Sequence, residues 1–248
     1  MKLKLIACKV LSREFGLVAS RSSNVIDVVY LQQDFHNQPE QLRVELQETV
    51  DAVEREREAK RYSMFARAED YDAILLGYGL CSNAVVGIRS GRYPIVVPRA
   101  HDCITLLLGC RHRYKRYFDE HPGTYWYTRG WTETTLMPGR ERRERIYKQY
   151  VEKYGEENAD FLMQTEQDWL CKYDRCTFIR WPEIPADAPK QQTRDAAQYL
   201  NWTYDELDGE QSLVEDFLEG RWDSERFLVV QPGQTIVPSY DGGVITAQ

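Results

Sequence analysis

"YPIVVPRAHDCITLLLG" (Tyr93 to Gly109) decides how the chain is to be read. Its first half is an apolar run, Ile95 to Val97, held between Pro94 and Pro98. A short, unbroken, β-branched run of this kind belongs in a strand buried on both faces, as in a parallel sheet. From Asp102 onward the apolar residues fall at helical spacing, and an Asp just before such a segment is a preferred helix cap. Strand, short turn and helix form the unit from which layered α/β proteins are built. His101, Asp102 and Cys103 stand together in the turn, where the carboxyl end of a parallel strand meets a ligand.

The same grammar extends in both directions. "KLKLIACKVL" (Lys2 to Leu11), "VIDVVYLQQDF" (Val25 to Phe35) and "YDAILLGYG" (Tyr71 to Gly79) read as strands. Between the last two, Pro39 to Ala68 reads as a long helix, with Leu42, Leu46, Val50 and Val53 on one face and Pro39 in its first turn. Helical periodicity runs from Asp102 to Phe118. In the second half, "GTYWYTRGW" (Gly123 to Trp131), "CTFIRWP" (Cys176 to Pro182) and "RFLVVQPG" (Arg226 to Gly233) are strand-like. Charged helices cover about Arg140 to Leu170, with further helical stretches at Asp195 to Leu200 and Leu213 to Glu219. This alternation predicts an α/β protein with Rossmann-like layers and mainly parallel strands. Two tightly joined lobes are expected, residues 1–122 carrying the cysteine motifs and residues 123–248 forming the other.

The chain has 248 residues and 42% hydrophobic content, enough for cores of that size. A formal net charge of -7 and a pI near 5.3 leave no basic stripe for phosphates, so a nucleic-acid partner is not expected. The densest positive stretch, "GRERRER" (Gly139 to Arg145), interleaves Glu with Arg as a solvated helix face does. No run reaches the apolar length of a membrane span, and "MKLKLIACKVL" lacks the core and cleavage site of a signal peptide. A cytoplasmic protein is expected, in which six cysteines are thiols rather than a disulfide framework.

Three of those thiols share a position type. Cys8 lies near the end of the first strand, Cys81 follows "AILLGYGL", and Cys103 follows "PIVVPRAHD". Ligands gather outside the carboxyl ends of strands in open α/β sheets, so the three are candidates to converge on one metal. Cys110 lies two helical turns beyond Cys103 unless the helix is broken, and Cys171 and Cys176 have no second pair to complete a zinc knuckle. Packing is the expected role of these three. Cys103, in the first turn of a helix, would gain thiolate character from the helix dipole. His101 would ligate beside it or carry protons, and Asp102 is either a catalyst or a cap.

"GYGLCSN" (Gly77 to Asn83) lacks the third glycine of a dinucleotide fingerprint and the Lys of a P-loop. Its small residues instead let backbone approach a ligand, which makes Tyr78 and Asn83 candidate substrate contacts. The aromatics of "HPGTYWYTRGW" (His121 to Trp131), notably Tyr125, Tyr127 and Trp131, suit either a sheet core or a pocket rim, and Arg99 and Arg129 would meet an anionic substrate there.

Taken together, "IACKVLSREF", "LLGYGLCSNAVVGI", "VPRAHDCITLLLG", "HPGTYWYTRGW" and "FLEGRWDSERFLVVQPG" resemble the domain-of-unknown-function 1638 family of bacteria and archaea. The resemblance spans nearly the whole chain and implies a setting: such genes often lie near corrinoid-dependent methyltransferases. The expected function is a metal-dependent enzyme or accessory protein in corrinoid-linked one-carbon metabolism. Cys8, Cys81 and Cys103 would hold an iron–sulfur cluster of the 4Fe-4S type, with one iron open to a small-molecule substrate. As an enzyme it would be a lyase or a transferase. The alternatives are zinc held by His101, Cys103 and one of Cys8 or Cys81, or a metal-free accessory module for a corrinoid protein or methyltransferase, docking through the charged helices of Arg140 to Leu170.

Overall fold

The computed structural model describes residues 1–32, 38–60, 70–80, 83–239 and 243–248, of which 56–60 are described by their backbone alone. The chain is an α/β protein with mainly parallel sheets. It divides into two compact units: Met1–Arg111 with Glu210–Gln248, and His112–Gly209.

The first unit opens with β1 (Lys2–Cys8), α1 (Ser12–Ala19), β2 (Val25–Leu31), α2 (Pro39–Lys60), β3 (Ala73–Gly77), β4 (Ile95–Pro98) and α3 (Cys103–Leu108). The second unit follows with α4 (Arg111–Glu120), β5 (Thr124–Thr128), α5 (Arg129–Thr134), α6 (Arg140–Tyr154), α7 (Glu156–Gln167), β6 (Arg175–Arg180), α8 (Asp187–Leu200) and β7 (Thr203–Asp208). The chain then returns to the first unit with α9 (Ser212–Glu219), β8 (Phe227–Val230), β9 (Ile236–Pro238) and β10 (Ile245–Ala247).

The first unit's sheet has the order β2-β1-β3-β4-β8. β1 runs parallel to β2 and β3, with Cys8 opposite Leu31 and Ala7 opposite Gly77. β3 and β4, the two apolar runs of the sequence, are buried along their whole length, as doubly covered parallel strands require. The predicted stripe of α2, Leu42, Leu46, Val50 and Val53, packs with Ile6, Ile74, Leu76, Ile95 and Val97. A second apolar group forms around Phe217, whose ring stacks on Phe227 at 5.7 Å and tilts against Phe15 of α1 at 6.3 Å.

In the second unit β5, β6 and β7 form a parallel sheet in chain order. Tyr127, Cys176, Phe178, Met137, Ala196 and Ala197 make its core. α6 and α7 pack mainly on each other.

Three expectations change. The division falls after Arg111 rather than after 122, and residues 210–248 belong with the first unit, because β8 pairs antiparallel with β4 (Ile95 opposite Val230, Pro98 opposite Phe227). The helix expected from Asp102 to Phe118 is broken at Gly109, whose φ of 73° ends α3 in the left-handed region. A side chain there would also strike Glu210, at 2.8 Å from its Cβ. Finally, the first strand stops at Cys8 and the chain turns through Lys9–Leu11 into α1.

Candidate functional site

The strand order reverses its direction of travel between β1 and β3, and a crevice opens outside the carboxyl ends of such strands. Cys8 is the last residue of β1, and Tyr78 follows β3 directly. Since Ala7 pairs with Gly77, Cys8 and Tyr78 are the next residues on neighbouring strands, with backbones roughly 5 Å apart. Gly77 is where the layers close: a Cβ there would meet Ala7 Cβ at 2.7 Å and the Phe15 ring at 2.8 Å.

The loop after β3 is strapped to the loop after β4. The Leu80 N–H donates to the Ala100 carbonyl at 2.7 Å. A Cβ on Gly79 would come within 2.6–2.7 Å of the N, Cα and C atoms of Asp102. Asp102 in turn caps α3, its Oδ1 accepting from the N–H groups of Ile104 at 3.1 Å and Thr105 at 3.2 Å. Cys103, the next residue, is buried. Cys8 and Cys103 therefore flank the Tyr78–Gly79 segment at the carboxyl edge of one sheet.

The electrostatics of this edge favour neutral groups. Burial pushes the half-buried Cys8 thiol above its ordinary range, and the Val10 backbone pulls it part of the way back. Burial and then the charge of Glu14 raise the phenol of Tyr30, which donates to the Ser12 carbonyl at 3.3 Å. Glu14 itself is only 4% exposed, in the first turn of α1. Sequence reading missed it. The available signal was its place beside Phe15 in the series Leu11, Phe15, Val18, a carboxylate standing on the buried side of a short helix. Thr105 Oγ1 is also buried, with no hydrogen-bond partner among the described residues.

The other predicted residues sort by environment. Cys81 lies outside the described residues. His101 is exposed. Arg99 is taken up structurally: its Nε donates to the Ser224 carbonyl at 2.9 Å, and its Nη1 to Gly243 at 2.8 Å and to Ile245. That guanidinium ties β10 to the loop before β8. Arg129 likewise pairs with Glu133 at 2.8 Å and donates to the Pro185 carbonyl. Asn83 is an exposed left-handed residue (φ 66°) whose carbonyl accepts from Arg43 at 3.2 Å, a conformation Asn tolerates well.

Tyr125, Tyr127 and Trp131 belong to the second unit's own packing. Tyr127 is fully buried and donates to the Pro138 carbonyl at 2.9 Å, and burial raises its phenol far above the ordinary range. The Tyr125 ring meets Tyr173 at 5.1 Å. Tyr127 is in that core, and Tyr125 and Trp131 pack against it partly buried. The remaining thiols have surroundings of their own. Cys176 is buried in that same core and pushed up to about 12 by burial, Tyr127 acting against the shift. Cys171 is exposed and donates to the Asp168 carbonyl at 2.7 Å, and Cys110 is half-buried beyond the break at Gly109. Among the described residues, no three or more His, Cys, Asp or Glu side chains are grouped to hold a metal ion; the predicted trio includes Cys81, which is not among them.

The family model for domain-of-unknown-function 1638, a protein of unknown function, matches residues 30–218. The match takes in Cys81, His101, Asp102 and Cys103, whereas Cys8 and Glu14 precede it. No curated protein and no solved structure is significantly similar to the chain. Among the described residues, no helix is long and apolar enough to cross a membrane.

Proposed function

This chain belongs to the family of domain-of-unknown-function 1638, and we propose that the carboxyl edge of its first sheet is a thiolate metal site. Cys8, Cys81 and Cys103 hold an iron–sulfur cluster there, leaving one iron open to a small-molecule substrate. The observation that carries this reading is the placing of Cys8 and Cys103 on either side of Tyr78–Gly79, with Cys81 two residues further along the chain. Thiolates are the usual cluster ligands, and burial at Cys8 disfavours the bare thiolate, a cost that a bound cation offsets. When bound, the cluster supplies a Lewis acid. Of the described groups, Glu14 and His101 are the candidates to exchange a proton with a substrate, while Asp102 keeps α3, and with it Cys103, in place. The activity is that of a lyase or transferase, or of an accessory protein, in cytoplasmic corrinoid-linked metabolism; the corrinoid link rests on the family resemblance alone.

The test is anaerobic purification followed by iron and sulfide analysis and a visible spectrum. Brown protein with broad absorbance is expected, with loss of iron in Cys8→Ser, Cys81→Ser and Cys103→Ser and full retention in Cys171→Ser. Iron retained in Cys81→Ser overturns the ligand set. Colourless protein with stoichiometric zinc would favour His101 and Cys103 as ligands instead. Metal-free protein that captures a corrinoid protein would favour the accessory role.

A further inference from the structure

We propose that the helix pair α6–α7 is the surface through which two copies of this chain associate. The two helices run back along one another, joined at Gly155, with Arg142 paired to Glu166. α6 has no buried residue along its whole length, whereas the much shorter α9 buries four. The partnership with α7 thus leaves α6 largely uncovered. Two large side chains near the turn stand out: Phe161 is 69% exposed and Tyr154 45%. Exposed rings of this size on adjoining helices are what an interface covers.

The charges say what covers them. α6 carries six cations against three carboxylates, and α7 carries four carboxylates and no cation. Opposite signs are therefore segregated onto neighbouring, oppositely directed helices. Under a two-fold rotation such a surface meets itself with the signs exchanged, so that α6 of each copy faces α7 of the other. A foreign partner would need to reproduce that two-signed pattern, and a second copy already does. The union is a four-helix arrangement with Phe161 and Tyr154 at its centre and the charges around it.

Sedimentation velocity on the full chain tests this. The wild type is expected to dimerise, and to dissociate as salt is raised. Phe161→Glu, at an exposed position, is expected to weaken the dimer at least about tenfold while circular dichroism shows an unchanged fold. Two charge-reversed variants give the sharper readout: Arg143→Glu with Arg145→Glu on α6, and Glu156→Lys with Glu157→Lys on α7. Each alone should be monomeric, because the first makes both helices net negative and the second leaves α7 with no net charge to set against the cations of α6. Mixed together, the two variants should form a heterodimer. A wild type that stays monomeric, a dimer that survives both reversals, or variants that fail to pair on mixing would each overturn the proposal.

Discussion

Gly79 lies against the backbone of Asp102 so closely that a Cβ there would sit 2.6–2.7 Å from three main-chain atoms. Backbone on both sides cannot yield as a flexible side chain would. Gly79→Ala is expected to force the loop after β3 away from the loop after β4, at a cost of about 1–3 kcal/mol. Urea denaturation measures that loss, and a variant as stable as the wild type would show that the two loops are not in contact.

Asp102 accepts two backbone N–H groups at the start of α3. Replacing it with Ala should cost about 1 kcal/mol, and replacing it with Asn much less, since Asn caps nearly as well. Chemical denaturation of the pair separates capping from chemistry. An Asn variant that is stable and still loses activity would give Asp102 a role beyond the cap.

The half-buried Cys8 thiol is shifted upward by desolvation, so its thiolate forms only at alkaline pH. Alkylation, followed by mass spectrometry as pH is raised, should label exposed Cys171 early and Cys8 late. The Cys8 rate should still be climbing above the ordinary thiol range, because the thiolate is the reacting form. Bound metal should protect Cys8 and leave Cys171 reactive. Rapid labelling of Cys8 at neutral pH would contradict the shift.

Glu219, at the end of α9, is drawn down to about 2 by the Ser22 and Ser23 hydroxyls and the Ser23 N–H. A carboxyl depressed by folding stabilises above its unfolded value, and that contribution fades as pH falls toward the folded value. The stability gap between wild type and Glu219→Gln should therefore be full at neutral pH and shrink between the ordinary carboxylate value and about 2. Thermal melts across that window read it directly, and a constant gap would remove the linkage.

What the sequence disclosed followed burial. β3 and β4 were legible because nothing polar interrupts runs that are covered on both faces, and α2 because its charged face is wet. α1 went unread because Glu14 occupies a buried helical position, and β7 because "TYDELD" has none of the apolar alternation of a covered strand. β9 and β10 have three residues each, too few for any period to show. Within the site, Cys8, Cys103 and Tyr78 could be placed because a strand's end is a local property. The surroundings of Tyr125, Tyr127 and Arg99 were not legible, because their partners, Tyr173, Pro138 and Gly243, depend on which sheet each segment joins and how the chain returns.

That return has a consequence for synthesis. The chain leaves the first unit and re-enters it at one place, the Glu210 N–H donating to the Leu107 carbonyl at 3.0 Å. Yet the outer partner of β4, residues 227–230, is translated only after the whole of 112–209. Until then a nascent chain carries "IVVP" as a bare apolar margin, ready to zip onto a neighbouring polypeptide. A chain cut short within the second unit thus exposes an unpaired strand margin, which is covered once residues 227–230 have been made.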